Sequence, residues 1–178
     1  TETKMNPFVH LRVRSGYSFY QSTVRFEPLS AALNSLNQYA VALTDNGNMH
    51  GAIEFYRTMK GVGIKPILGC ELLVQGSTLC AGKENSFFPL LLLAHELEGY
   101  QNLCALVSMA NEAGGDSKPF IRRVDLADHH SGLVALSGGF QGEVSVTLAN
   151  GAISEAQHIA QEYAQIMGEN GFYLEIQR

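Results

Sequence analysis

Apolar positions in this chain fall into short continuous runs, separated by longer stretches that repeat at helical spacing. Runs at 8–14, 40–45, 64–74, 88–94, 132–137 and 172–176 are rich in Leu, Val and Ile and bounded by glycine or polar residues, which predicts buried strands. Between them, Leu29, Ala32, Leu33 and Leu36 predict one helix after Pro28, and Ile53, Tyr56 and Met59 predict another over 49–60, ended by Gly61 and Gly63. Leu97, Leu103, Leu106 and Val107 predict a helix over 96–112, and shorter helices are expected at 124–130 and 143–149. A helix over 154–167 is expected to start at a Ser154 cap. Polar stretches at 76–86 and 114–119 read as loops. Strands alternating with helices predict an α/β fold with a mostly parallel sheet. No repeat or linker interrupts the pattern, so residues 1–178 read as one domain.

Composition narrows this picture only slightly. The apolar fraction of 46% is ordinary, whereas the charged fraction of 16% is low against roughly 25% for soluble domains. Either a large core lies under a Ser/Asn/Gln-rich surface, or some faces are covered by other domains or subunits. A formal net charge of −5 disfavours unaided binding to nucleic acid, where affinity comes from Lys and Arg displacing counterions. Cys70, Cys80 and Cys104 are widely spaced and form no CxxC pair, so reduced thiols in a cytoplasmic protein are expected. The longest apolar run, 87–94, contains Pro89 and is far too short to span a bilayer.

Three of the predicted strands end in polar tips. The first carries His10, Arg12 and Arg14 and opens into Ser15-Gly-Tyr-Ser18; the second ends at Asp45 and Asn46; the third ends on Glu71. A parallel α/β sheet gathers such tips at one edge, where sites are built. His10 and Arg12 alternate in phase and are expected on the same face of their strand. A residual cation site from His10, Asp45, His50 and Glu71 can be written down, although lone histidines near a sheet end are more often hydrogen-bonded structural residues. His129, His130 and His158 read as surface residues. Gly61-Val-Gly63 and Gly114-Gly115 lack the context of a phosphate loop. Ser137-Gly-Gly139 reads as a tight turn rather than a nucleophile elbow. A groove for single-stranded DNA lined by Arg12, Arg14, Arg25 and Tyr17 is a further arrangement, against which the negative charge argues.

Taken together, Phe8-Val-His-Leu-Arg-Val-Arg-Ser-Gly-Tyr-Ser18, Ala42-Leu-Thr-Asp-Asn-Gly-Asn-Met-His-Gly-Ala-Ile-Glu-Phe-Tyr56, Gly63-Ile-Lys-Pro-Ile-Leu-Gly-Cys-Glu71, Glu98-Gly-Tyr-Gln-Asn-Leu103, Gly132-Leu-Val-Ala-Leu-Ser-Gly-Gly139 and Phe172-Tyr-Leu-Glu-Ile176 resemble a PHP (polymerase and histidinol phosphatase) domain. More narrowly, they resemble the N-terminal PHP domain of bacterial DNA polymerase III alpha subunits. The resemblance implies a distorted (β/α)7 barrel of TIM-like type, here truncated at its C-terminal side, with a metal cluster at its mouth in active members. Carried over residue by residue, the histidine pair falls on Arg12 and Arg14, a carboxylate on Gln21, the later histidines on Asn46 and Pro89, and a cysteine or histidine on Gly139. Only Glu71 matches, with Asp45 beside it. Arginine stays protonated and offers no lone pair to a cation. The resemblance therefore implies a catalytically silent domain with no metal of its own, whose two carboxylates take Arg12 or Arg14 as partners. Expected partners are the polymerase module of the same chain and the proofreading exonuclease, with DNA met only through the parent chain. The parent's Mg2+ and nucleotidyl-transfer residues would lie outside this segment. The rival expectation is a phosphoesterase or pyrophosphatase using the reduced group of His10, Asp45, His50 and Glu71.

Overall fold

The computed structural model describes residues 8–76, 86–114 and 118–176. Most of both predicted loops, and Cys80, lie outside the described residues. The chain runs α1 (Phe26–Ser35), β1 (Ala40–Asn46), α2 (Ala52–Gly61), β2 (Lys65–Gln75), β3 (Phe87–Ala94), α3 (Leu97–Gly114), β4 (Phe120–Ile121), α4 (Arg123–Asp128), β5 (Leu133–Leu136), α5 (Glu143–Ala149), α6 (Ile153–Met167) and β6 (Phe172–Tyr173). One six-stranded sheet has the order β1-β2-β3-β5-β6. β2 anchors it, because β1 and then β4 pair with one of its edges while β3 occupies the other.

Five of the six described strands run parallel, as the alternation of strands and helices predicts, and one does not. β3 runs antiparallel to both β2 and β5, so the sheet is mixed. The connection from β2 to β3 carries no helix among the described residues and returns the chain antiparallel. The six strands support an α/β sheet with helices.

The first predicted strand is corrected. Residues 8–14 form an extended edge with a single bridge, His10 to Val41. Ala42 N donates to His10 O at 2.8 Å, and Thr44 N donates to Val13 O at 2.8 Å. Three residues on the edge thus face two on β1, a bulge that breaks the simple alternation. At the other end, the run 172–176 pairs regularly only at Phe172 and Tyr173.

Helices cover the outer face. Leu72, Val74, Leu90, Leu92 and Ala135 pack against Leu103 and Leu106 of α3, Leu126 of α4, and Ile159 and Tyr163 of α6. Each fully buried Leu contributes roughly 1.5–3 kcal/mol. Val41 and Leu43 pack against Phe26 and Leu33 of α1 and Phe55 and Met59 of α2. The inner face holds a smaller cluster of Ala42, Leu91, Leu93 and Leu136.

Two helices bury a stripe that matches the one their spacing suggests only at Leu33 and Met59. On α2, Phe55 and Met59 are buried while Ile53 and Tyr56 are exposed. The cause is the docking of the α2 start: a Cβ on Gly51 would lie 2.8 Å from the Tyr17 ring and 2.9 Å from Phe26. That close approach sets Phe55 edge-on to Phe26, with centroids 5.5 Å apart, and turns Ile53 outward. On α1, Phe26, Ser30 and Leu33 face inward, and Leu36 closes the helix in solvent.

Two further readings change. α6 begins at Ile153 after Ala152, with no side-chain cap, so Ser154 sits inside the helix. His129 and His130 are half-buried beyond α4, with Nδ1 atoms 3.1 Å from Asp125 O and 2.7 Å from Ala127 O. They serve the last carbonyls of that helix, as histidines at a C-terminus do. His158 is exposed as expected.

Candidate functional site

Register decides which tips meet. Asn46 pairs with Glu71, and Asp45 pairs with Cys70. Side chains alternate across a strand, so Asn46 and Glu71 point to the inner face while Asp45 points to the outer one with Val41 and Leu43. The two carboxylates that close the sequence motifs are therefore on opposite sides of the sheet.

Glu71 sits in β2 rather than at its tip, with its side chain 6% exposed. Its Oε1 accepts from Arg14 Nη2 at 2.6 Å, and its Oε2 accepts from Arg12 Nη2. Arg12 Nη1 also donates to both oxygens of Glu175 at 3.2 Å. Ser137 Oγ accepts from Glu175 N at 2.9 Å and fixes the backbone there. Two guanidiniums and two carboxylates thus form a neutral cluster. It ties the N-terminal edge to β2 and to the segment after β6. Opposite charges at this range attract by about 4 kcal/mol at an effective dielectric of 20, against which desolvation must be set.

Asp45 takes a different solution. It is 1% exposed and accepts from Ser15 N at 2.7 Å, Ser15 Oγ at 2.8 Å and Ser18 Oγ at 2.7 Å. The expected arginine partnership holds for Glu71 and fails for Asp45, because both arginines approach from the inner face. Asp45 instead pins the 15–18 turn onto β1, and Ser18 Oγ accepts from Asn46 N at 3.0 Å.

Arg14, Gln21, Asn46, Glu71 and Pro89 line one cavity of about 880 Å³ at the mouth. Asn46 Nδ2 donates to Gln21 Oε1 at 3.3 Å across it. Gly139 lies alongside in the turn after β5, where Gly138 has φ 78° and a Cβ would fall 1.9 Å from Pro89 O. Ser137-Gly-Gly139 is the tight turn its sequence suggests. Arg12 lines a second cavity of about 1180 Å³ on the inner face, with His10, Leu93, Leu136 and Leu174. The Arg12–Glu71 pair is the wall between the two.

The residual cation site does not assemble. His10 packs edge-on to Phe8 at 4.9 Å in the second cavity, His50 is exposed at the first, and Asp45 is behind the sheet. Among the described residues, no three His, Cys, Asp and Glu side chains are placed to hold a metal ion. Cys70 is fully buried and its thiol is pushed up to about 12 by desolvation, so it offers no thiolate at neutral pH. The groups around Glu71 are two guanidiniums, which do not fit a metal cluster.

The single-stranded DNA groove is not assembled either. Arg12 and Arg14 are engaged, and Tyr17 stacks on Phe26 at 6.4 Å with its hydroxyl donating to Glu54 at 3.0 Å. That bond raises the Tyr17 pKa. Glu175 was not singled out from sequence. The available signal was a lone carboxylate inside the apolar run 172–176, matching lone arginines in the run 8–14.

The PHP domain family profile matches residues 10–178. The chain is 36% identical over 174 residues to the DNA polymerase III subunit alpha of Treponema pallidum and 38% identical over 182 residues to that of Helicobacter pylori strain J99. It is 35% identical over 171 residues to that of Haemophilus influenzae. Each match covers 96% of this chain and only 14–15% of the relative. Among solved structures, one described as a metal-dependent phosphoesterase from Bifidobacterium adolescentis superposes with a TM-score of 0.54 at 10% identity. That match covers 94% of this chain and 85% of the other, and at such identity it reports shared fold alone. On the profile match and these relatives, the chain belongs to the PHP domain family.

Proposed function

We propose that this chain is a non-catalytic, metal-free PHP module of a bacterial DNA polymerase III alpha subunit, working in DNA replication in the cytoplasm. Its sheet forms the larger part of a distorted (β/α)7 barrel that packs against the polymerase module of the same chain. Its surface receives the proofreading exonuclease. The parent chain would be a DNA-directed DNA polymerase, whose Mg2+ and nucleotidyl-transfer carboxylates lie outside this segment.

The observation that carries this reading is the occupancy of Glu71. Where the family places a carboxylate ligand, both oxygens of Glu71 are taken by Arg12 and Arg14. Guanidinium groups cannot ligate a cation, and they supply the positive charge that a metal would otherwise bring. The site keeps its electrostatic balance without metal, and the scaffold persists without the chemistry.

The test is metal analysis of the purified chain together with hydrolysis of p-nitrophenyl phosphate, for the wild type and Glu71→Gln. The expected outcome is metal well below one equivalent and no turnover above the blank in either. Stoichiometric zinc or manganese, with turnover abolished by Glu71→Gln, would overturn the reading. Retention of purified exonuclease on the immobilised chain tests the partner.

A further inference from the structure

The mouth cavity has a second character beside its ion cluster. Its rim carries two exposed aromatic rings, Phe19 at 73% and Phe140 at 74%, and Tyr20 next to them is fully exposed. Exposed aromatics are enriched where proteins meet partners. The turn that carries Phe19 and Tyr20 is held rather than loose. Asp45 pins the turn that precedes Phe19, and Gln21 N donates to Ser18 O at 3.0 Å. Ser22 Oγ donates to Arg14 O at 2.6 Å. Tyr20 is kept at φ 62°, a conformation that costs a non-glycine residue on the order of 1 kcal/mol or more. A backbone that holds an outlier at Tyr20 while presenting the bare rings of Phe19 and Tyr20 is organised for contact.

Beneath the rim, Leu73, Phe88 and Pro89 contribute apolar surface, and Gln21 and Gln141 contribute amides. Among the described residues of the lining Glu71 is the lone carboxylate, and its charge is already met by two arginines. Lys118, on the same wall, forms no ion pair with any described residue. Among the described lining residues the remaining formal charge is therefore positive, by about one. The volume of about 880 Å³ falls within the usual range of roughly 300–1,000 Å³ for a specific pocket.

We propose that this mouth docks an extended peptide segment of a partner protein, one that carries a bulky apolar side chain and a carboxylate. The apolar side chain enters between Phe19 and Phe140, the amides meet the peptide backbone, and Lys118 meets the carboxylate. Charge complementarity selects a peptide over a nucleic-acid strand. A strand presents one phosphate per nucleotide and needs several cations to bind, whereas one carboxylate needs one. The inference rests on the reading of this domain as an interaction module and specifies the face and chemistry that module uses.

Random twelve-residue peptides displayed on phage, selected on the 178-residue chain, test it. The enriched peptides are expected to share an acidic residue and an aromatic or Leu. Their affinity, measured by fluorescence anisotropy, is expected to fall at least tenfold in Phe19→Ser and in Lys118→Glu. Both positions are exposed, and an unchanged melting temperature shows that the variants fold. Three outcomes overturn the proposal: no enrichment over the blank, equal binding to wild type and variants, or tight, salt-sensitive binding of twelve-residue oligo-dT at this mouth in place of peptide. Purified exonuclease separates the two levels. If it binds wild type and both variants equally, the interaction reading stands and the mouth site falls. If it binds none of them while selected peptides still occupy the mouth, the site stands and that partner falls.

Discussion

Two arginine–carboxylate clusters serve this domain, and they differ in what surrounds them. The inner cluster joins Arg12, Arg14, Glu71 and Glu175 between two cavities, with guanidinium side chains 19% and 30% exposed. The outer cluster joins Arg123, Glu143, Glu162 and Tyr163 among α4, α5 and α6. There Arg123 Nη2 donates to both oxygens of Glu143 at 2.7 and 2.6 Å, and Nη1 donates to Glu162. Tyr163 donates its hydroxyl to Glu143 at 3.0 Å and lays its ring 4.8 Å from the guanidinium. The Glu143 side chain is 1% exposed. Burial and the nearby Glu143 push the Tyr163 pKa well up, so the phenol stays a donor. The same residue types centre on a fully buried carboxylate between helices in one place and border two cavities in the other.

That contrast breaks if the inner cluster proves the costlier to disrupt. Arg123→Met leaves Glu143 buried without its guanidinium and is expected to cost about 3–5 kcal/mol in urea unfolding. A loss below about 1 kcal/mol would remove the distinction. Asp45→Ala strips the acceptor from two serine hydroxyls and one buried amide, for about 1–3 kcal/mol. It should also speed proteolysis within residues 15–21, which a variant acting only through the core would not do. Arg14→Met leaves Glu71 with Arg12, and after discounting for exposure about 1 kcal/mol or less is expected. A larger loss would make the mouth as structural as the outer cluster.

The smallest effect concerns acid. Arg122 bonds to Asp125 through its side chain at 3.0 Å and its backbone N at 2.8 Å, holding that carboxyl below its usual range. A depressed folded-state pKa contributes stability above the unfolded value of about 3.9, lost as pH falls through the lower folded value. Asp125→Ala is therefore expected to flatten the acid limb of the stability profile, by a few tenths of a kcal/mol given how exposed Arg122 is. An unchanged limb would remove the Arg122–Asp125 pair from the acid response.

Much of the fold could be read from the chain because strand and helix signals are local. The runs that became β1, β2, β3 and β5 were placed within about two residues. On α2 the spacing finds Met59 but sets Ile53 and Tyr56 beside it, because Phe55 is equally apolar and only docking against Tyr17 and Phe26 turns Phe55 inward. The direction of β3 was invisible for a related reason: an apolar run carries no sign of parallel or antiparallel pairing.

Within the site, residue chemistry was legible and geometry was not. Arginines standing where ligands are expected follow from the sequence, because no fold lets a guanidinium coordinate a cation. Which carboxylate those arginines reach was decided by the β1–β2 register, which sends Glu71 inward and Asp45 outward. Side-chain alternation is a property of each strand alone, but the face that becomes the inside is a property of the sheet. The same holds for Glu175, 163 positions from Arg12 in the chain and 3.2 Å from it in space.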